Sequence, residues 1–200
     1  LYLATQNQRQ RVKDLLERLY IRGMGIVDLY DEVLVPVVQD GERALVSGEL
    51  SLGQESLLKH NLDEAVSLLF PQLICRRQSG KTGLCAAPDN ISRIQVNAIS
   101  RILETEGWDC LNLGGSIPFA VMAEMVELEP VNLVCLACSD PTSLNQNGFT
   151  NLAEAASSYR IPIILVGDGF VELTVREKLL HDEYFSDYRS FCSYVHDLSA

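Results

Sequence analysis

Two hundred residues, 47% hydrophobic and 22% charged, leave room for one large domain or two small ones whose cores need no covalent staples. A formal charge of -11 argues against a nucleic-acid surface, because phosphate binding needs clustered Lys and Arg. The basic groups here, such as Arg9, Arg11 and Lys13 or Arg76 and Arg77, are short and scattered.

No apolar run approaches the ~20 residues that span a bilayer, and the opening LYLATQNQRQRVKD turns polar too soon for a signal peptide. The chain opens on Leu1 and not on Met, as expected of a piece of a longer protein. Six cysteines without a disulfide-framework spacing point to an intracellular, cytoplasmic protein with reduced thiols. Cys135 and Cys138 form a C-x-x-C within VCLACS. A zinc or redox pair wants a loop or a helix start, whereas positions i and i+3 of a strand face opposite ways. Structural thiols are therefore the expectation, with a redox or metal pair as the alternatives.

In chain order, residues 5–22 carry Val12, Leu15, Leu16 and Leu19 at helical spacing, and Gly23 and Gly25 break the pattern. Residues 26–47 predict a second helix with Val27, Tyr30, Val33, Leu34 and Val37 on its apolar side. Pro36 should kink that helix or start a new segment, and Gly48 should end it. Ser51 caps a third helix at 52–69, with Gln54 completing a capping box, and Pro71 stops it. The polar run ICRRQSGK at 74–81 reads as a connector, giving a helical bundle at 1–73 and an α/β domain at 82–200. In that domain strands at 82–87, 108–113, 131–138 and 161–166 alternate with helices at 91–106, 119–127, 150–159 and from 171 onward. Such βα alternation is the pattern of a doubly wound parallel sheet. Its ligands bind at the carboxyl ends of the strands, in the loops 88–93, 114–118, 139–147 and 167–170. The tail from His181 is aromatic-rich and acidic, either a last helix on the sheet or an extension.

The stretch LYDEVLVPVVQDGERALVSGELSLGQESL resembles the helical cap of cobalamin-binding modules, in particular those of light-sensing, B12-dependent transcription regulators and of methyltransferase corrinoid proteins. Tyr30, Leu34, Pro36, Gly41, Gly48, Glu49, Leu50 and Glu55 follow that family's order. EGWDCLNLGGSIP at 106–118, an aliphatic strand ending in Ser139, and VGDGF at 166–170 carry the resemblance over most of residues 20–175. It implies an α/β fold in which an N-terminal helical bundle cap precedes a flavodoxin-like doubly wound parallel sheet, with a cofactor cleft between them. The cofactor positions of such a module would be Leu45, Glu55, Ser56, Ser92, Gly114, Ser139, Gly167 and Gly169.

The departures from the family pattern shift what the resemblance implies. The family's cobalt-ligating His falls on Ser92 and the Gly after it on Gln95, which fills space needed by the nucleotide tail. The cap's Trp falls on Leu45, and the His of its Glu-His pair on Ser56. A serine hydroxyl does not replace imidazole as a neutral nitrogen donor to a transition metal. Histidine-ligated cobalamin is therefore not expected. A related group of sensor domains, in antirepressors of photosynthesis genes, lacks the same His and is thought to hold heme, so heme is the cofactor the resemblance implies if any is bound. Its candidate iron ligand is His60, one helical turn beyond Ser56 on the same face. The alternative is a surface histidine beside Lys59 and Asn61. His181 and His196 lie in the polar tail and are not assigned a role.

Other chemistries lack their residues. Residues 88–93 hold no glycine for a dinucleotide fingerprint, and the Gly-Lys-Thr of RRQSGKTG precedes its strand and lacks the earlier glycine of a phosphate loop. Asp89 and Asp168 stand at strand ends like receiver-domain acids, without the second acid and the later lysine. No triad or carboxylate pair near a histidine supports catalysis. The expectation is a non-enzymatic regulatory sensor or interaction domain that acts through a protein partner such as a transcription regulator, with neither nucleic acid nor membrane as its target. The alternatives are a corrinoid carrier of a methyltransferase and a cofactor-free interaction scaffold.

Overall fold

The computed structural model describes residues 1–6, 8–69, 79–89, 93–177 and 179–199. The chain divides into two compact units, Leu1–Ile74 and Cys75–Ala200. Among the described residues, no helix is long and apolar enough to cross a membrane.

The first unit is all helical: α1 (Tyr2–Thr5), α2 (Arg9–Ile21), α3 (Ile26–Asp28), α4 (Val35–Ser47) and α5 (Leu52–Leu69). The expected helix at 26–47 is continuous, but its middle, Leu29–Leu34, is wound as a π-helix, with the Val35 amide donating to the Tyr30 carbonyl. Pro36 explains this. It has no N–H for the ladder and its ring crowds the preceding turn, so the chain widens by one residue there. Gly48, at φ +80, closes α4 in the left-handed conformation that glycine tolerates. The capping box before α5 forms as the sequence predicts: Gln54 Oε1 accepts from the Ser51 amide at 2.9 Å and the Gln54 amide donates to Ser51 Oγ at 3.3 Å. Leu16, Leu29, Tyr30, Leu34, Leu58 and Leu69 fill the core of this unit. Gly41 lets α4 approach α5, because a Cβ there would run into Leu58. Pro71 and residues 74–78 of the connector lie outside the described residues.

The second unit holds five parallel strands: β1 (Thr82–Ala86), β2 (Asp109–Gly114), β3 (Leu133–Ala137), β4 (Ile163–Val166) and β5 (Glu183–Phe185), in the order β2-β1-β3-β4-β5. This is the flavodoxin-like order, so the fold is α/β as the sequence predicts. The helices are α6 (Arg93–Thr105), α7 (Phe119–Leu128), α8 (Gln146–Tyr159), α9 (Leu173–Arg176) and α10 (Tyr188–Ser199). The helix expected from 171 is a 3-10 turn at Asp168–Phe170 followed by the single turn of α9.

Period-2 alternation splits the strands between two cores. Leu84, Ala86, Val134, Leu136, Ile163 and Leu165 pack with Phe119 and Met122 of α7 and Phe149 and Leu152 of α8. On the other face Cys85 pairs with Cys135 across β1 and β3, while Cys110 of β2 pairs with Gly83. The three thiols thus share the face on which α6 packs. Gly83 admits Leu103 of α6, since a Cβ there would meet Leu103 Cδ1 at 2.7 Å. The bond to Cys110 lowers the Cys85 pKa, but the bond to Cys135 and burial outweigh it, while the bond to Cys85 and burial raise that of Cys110; both thiols stay protonated and unreactive at neutral pH. Cys138, beyond β3, packs in the α7/α8 core, on the other side from Cys135. All five described cysteines are free.

Helix α10 closes the unit. Trp108 Nε1 donates to Ser199 Oγ at 2.7 Å, Lys81 Nζ donates to the Leu198 carbonyl, and His196 Nδ1 lies 2.9 Å from Glu106 Oε2. The bond to Glu106 raises the His196 pKa above its ordinary 6.5. A raised histidine stabilises the fold most below its unfolded pKa, and the gain disappears as pH rises through the folded value. The end of α10 is therefore expected to loosen above about pH 6.5. Trp108 fluorescence should follow this, and His196→Gln should remove the pH dependence.

Candidate functional site at the carboxyl edge of the sheet

Strand order reverses between β1 and β3, the switch point at whose carboxyl ends the ligands of such sheets bind. Asp89, buried just past β1, ties this edge together. Its Oδ2 accepts from the backbone amides of Ser139 at 2.9 Å and Asp140 at 3.1 Å, and its carbonyl accepts from the Ser116 amide at 2.8 Å. One residue thereby joins the loops after β1, β2 and β3. The β2 loop turns through Gly114 at φ +82 and Ser116 at φ +61. The Gly114 carbonyl accepts from the Ala87 amide at 2.9 Å.

Gln95, in the first turns of α6, reaches into the same edge. Ser139 Oγ donates to its Oε1 at 3.1 Å, and that oxygen would lie 3.2 Å from a Cβ placed on Gly167. Gly169 backs directly onto β3: its amide donates to the Cys138 carbonyl at 2.9 Å, and a Cβ would meet that oxygen at 2.5 Å. Burial pushes the Cys138 thiol up to about 12, so it supplies no thiolate. The edge gathers hydroxyl, carboxamide and backbone amide groups beside glycines.

The expected site residues fall into two sets. Gly114, Ser139, Gly167 and Gly169 meet at this edge, while Ser92 lies outside the described residues. Leu45, Glu55, Ser56 and His60 belong to the helical unit. There Leu45 is half-buried on α4 and Ser56 is exposed on α5. Glu55 is buried, 2.6 Å from Lys59 Nζ, which also bonds Glu42 at 2.9 Å. His60 is exposed, with Nε2 3.5 Å from Glu64 Oε2. Sequence reasoning gave Gln95 its bulk but not its bond to Ser139, and it weighed Asp89 as a receiver-type acid when the structure gives it backbone amides to hold. The other two histidines stand away from the edge: His181 precedes β5 at the amino end and His196 lies in α10. Among the described residues, no group of three His, Cys, Asp or Glu side chains is arranged to hold a metal ion.

Lys59 neutralises the buried Glu55. Burial lowers the lysine pKa, but hydrogen bonds to Glu55 and Glu42 outweigh it and the net shift is upward. Lys59→Met should cost about 2 kcal/mol, less than a fully buried pair because the lysine retains some water contact. Faster hydrogen exchange of the α5 amides would report the loss.

No protein-family model and no curated protein matches the chain. Solved structures do. The monomethylamine corrinoid protein of Methanosarcina barkeri matches at TM-score 0.78 and 14% identity, over 98% of this chain and 94% of that one. A cobalamin-binding protein from Desulfitobacterium hafniense DCB-2 matches at TM-score 0.50 and 14% identity, over 98% and 95%. The methanol:cobalamin methyltransferase complex of Methanosarcina barkeri matches at TM-score 0.51 and 15% identity, over 99% of this chain and 77% of that one. The expectation of heme in place of cobalamin is corrected by these matches, because all three structures are corrinoid or cobalamin proteins. His60 loses its proposed iron with that correction. The three likenesses run the length of the chain and show that it carries the cobalamin-binding fold, a helical unit followed by a flavodoxin-like parallel sheet.

Proposed function

We propose that the chain is a non-enzymatic regulatory module that binds a corrinoid at the carboxyl edge of its sheet, without lending the cobalt an imidazole, and signals to a protein partner. The observation that carries this reading is the conjunction of a full-length likeness to corrinoid proteins with an edge that gathers Gly114, Ser139 and Gly167. Ser139, Gln95 and the backbone around Gly114 and Gly167 are the groups that would hold the cofactor's amide-bearing rim. When bound, the corrinoid would supply a light-absorbing, redox-active cobalt centre. The β1 loop, residues 87–93, has no histidine in its sequence, which is the basis for leaving cobalt without a histidine from this edge. A charge of -11 favours a protein such as a transcription regulator over DNA as the partner. Signalling requires that the partner-competent form bind the corrinoid with a different affinity from the other form.

A second reading, a corrinoid carrier for a methyltransferase, draws on the likeness to the monomethylamine corrinoid protein. Gel filtration with excess hydroxocobalamin separates the cases. Colour co-eluting with the protein, with a sedimentation coefficient that changes on illumination or reduction, is expected of the regulator. Colour that co-elutes and accepts a methyl group from methyl iodide after reduction, with no hydrodynamic change, favours the carrier. Protein eluting without colour would sink both.

A further inference from the structure

At the opposite end of the same strands, a cavity of about 540 Å³ opens between the end of α8, the start of β4 and the residues before β5. We propose that it binds a small zwitterion, an α-amino acid with an aliphatic side chain. The cavity has the size of small-molecule sites. Part of its wall is apolar, with Ala156 buried and Leu180 70% exposed, an aliphatic side chain left for a ligand to cover. Its polar groups carry both signs.

Arg160 sits at φ 59 as the C-cap of α8, its amide bonded to the Ala156 and Ser157 carbonyls. Its guanidinium, like the neighbouring Ser157 hydroxyl, takes no hydrogen bond among the described residues. Asp182 lines the same cavity and uses Oδ2 to accept from the Ile163 amide at 2.7 Å, which leaves Oδ1 open. His181 Nδ1 lies 2.8 Å from the Leu179 carbonyl. A carbonyl only accepts, so the proton sits on Nδ1 and the neutral ring presents Nε2 as an acceptor. A ligand carboxylate therefore meets Arg160 and Ser157, and a ligand ammonium meets Asp182 and His181. A simple anion would face the Asp182 carboxylate and the charge of -11, whereas a zwitterion has no net charge to be repelled.

The test is a two-dimensional amide NMR titration with L-leucine, beside isocaproate, which lacks the ammonium, and isopentylamine, which lacks the carboxylate. Arg160→Gly is the informative variant, because glycine suits the positive φ and the fold is kept. Leucine should give saturable shifts at Ala156 and Leu180. Both single-charge analogues, and leucine on the variant, should bind at least about tenfold more weakly. No saturable shift with leucine, isocaproate binding as tightly as leucine, or unchanged binding in Arg160→Gly would each overturn the proposal.

Discussion

Replacing Gly169 by alanine is expected to destabilise the sheet unit by about 4 kcal/mol, from overpacking against backbone plus one lost hydrogen bond. The added methyl would stand 2.5 Å from the Cys138 carbonyl oxygen and 2.8 Å from its carbon. Those are backbone atoms at the end of β3, unable to rotate away as a side-chain tip would. Relief requires the loop after β4 to lift off, which breaks the bond from the Gly169 amide to that carbonyl. Urea unfolding followed by fluorescence reads this unit alone, because the chain's single tryptophan, Trp108, lies inside it at 4% exposure. A loss under about 1 kcal/mol would mean that the loop yields and the close approach is not needed.

Asp89→Ala is expected to cost about 3 kcal/mol by the same readout, since two amides lose a charge-assisted acceptor. The effect extends beyond stability. Ser139 owes its position to the bond between its amide and Asp89, and Ser139 in turn fixes Gln95. The edge should lose its shape along with the carboxylate. Asp89→Asn keeps an acceptor oxygen and should cost only about 1 kcal/mol. Equal losses for the two variants would place the role of Asp89 in its charge and not in its geometry.

Much of this architecture was legible where one local rule decides the outcome. Ser51 and Gln54 announce the start of α5 because a capping box needs only neighbouring residues. The first four strands stand out as apolar runs, and their alternation with helices points to a parallel sheet and to the edge at which ligands bind. Pro36 marked a disturbance, though its form as a π-helical turn depends on how the surrounding helix packs. Strand β5 was missed because three half-exposed residues, Glu183–Phe185, carry no periodicity; only its pairing with β4 makes it a strand. Asp89 was illegible for another reason. A carboxylate after a strand reads alike as receiver acid or loop anchor, and its amide partners lie some fifty residues away. The heme expectation went wrong because serine at the place of the family's cobalt ligand was read as a change of cofactor, whereas the structures this chain is similar to are corrinoid and cobalamin proteins.

The central claim is a corrinoid held by this chain with none of its imidazoles on cobalt. It is tested most directly by the electron paramagnetic resonance spectrum of the protein loaded with cob(II)alamin, recorded unlabelled and again after uniform labelling of the protein with the heavy nitrogen isotope. A histidine of the chain on cobalt would change the nitrogen hyperfine pattern on labelling, because the two isotopes differ in nuclear spin. The predicted result is bound cob(II)alamin whose pattern is the same in both samples. A pattern altered by the label, or a protein that takes up no cob(II)alamin, would contradict it.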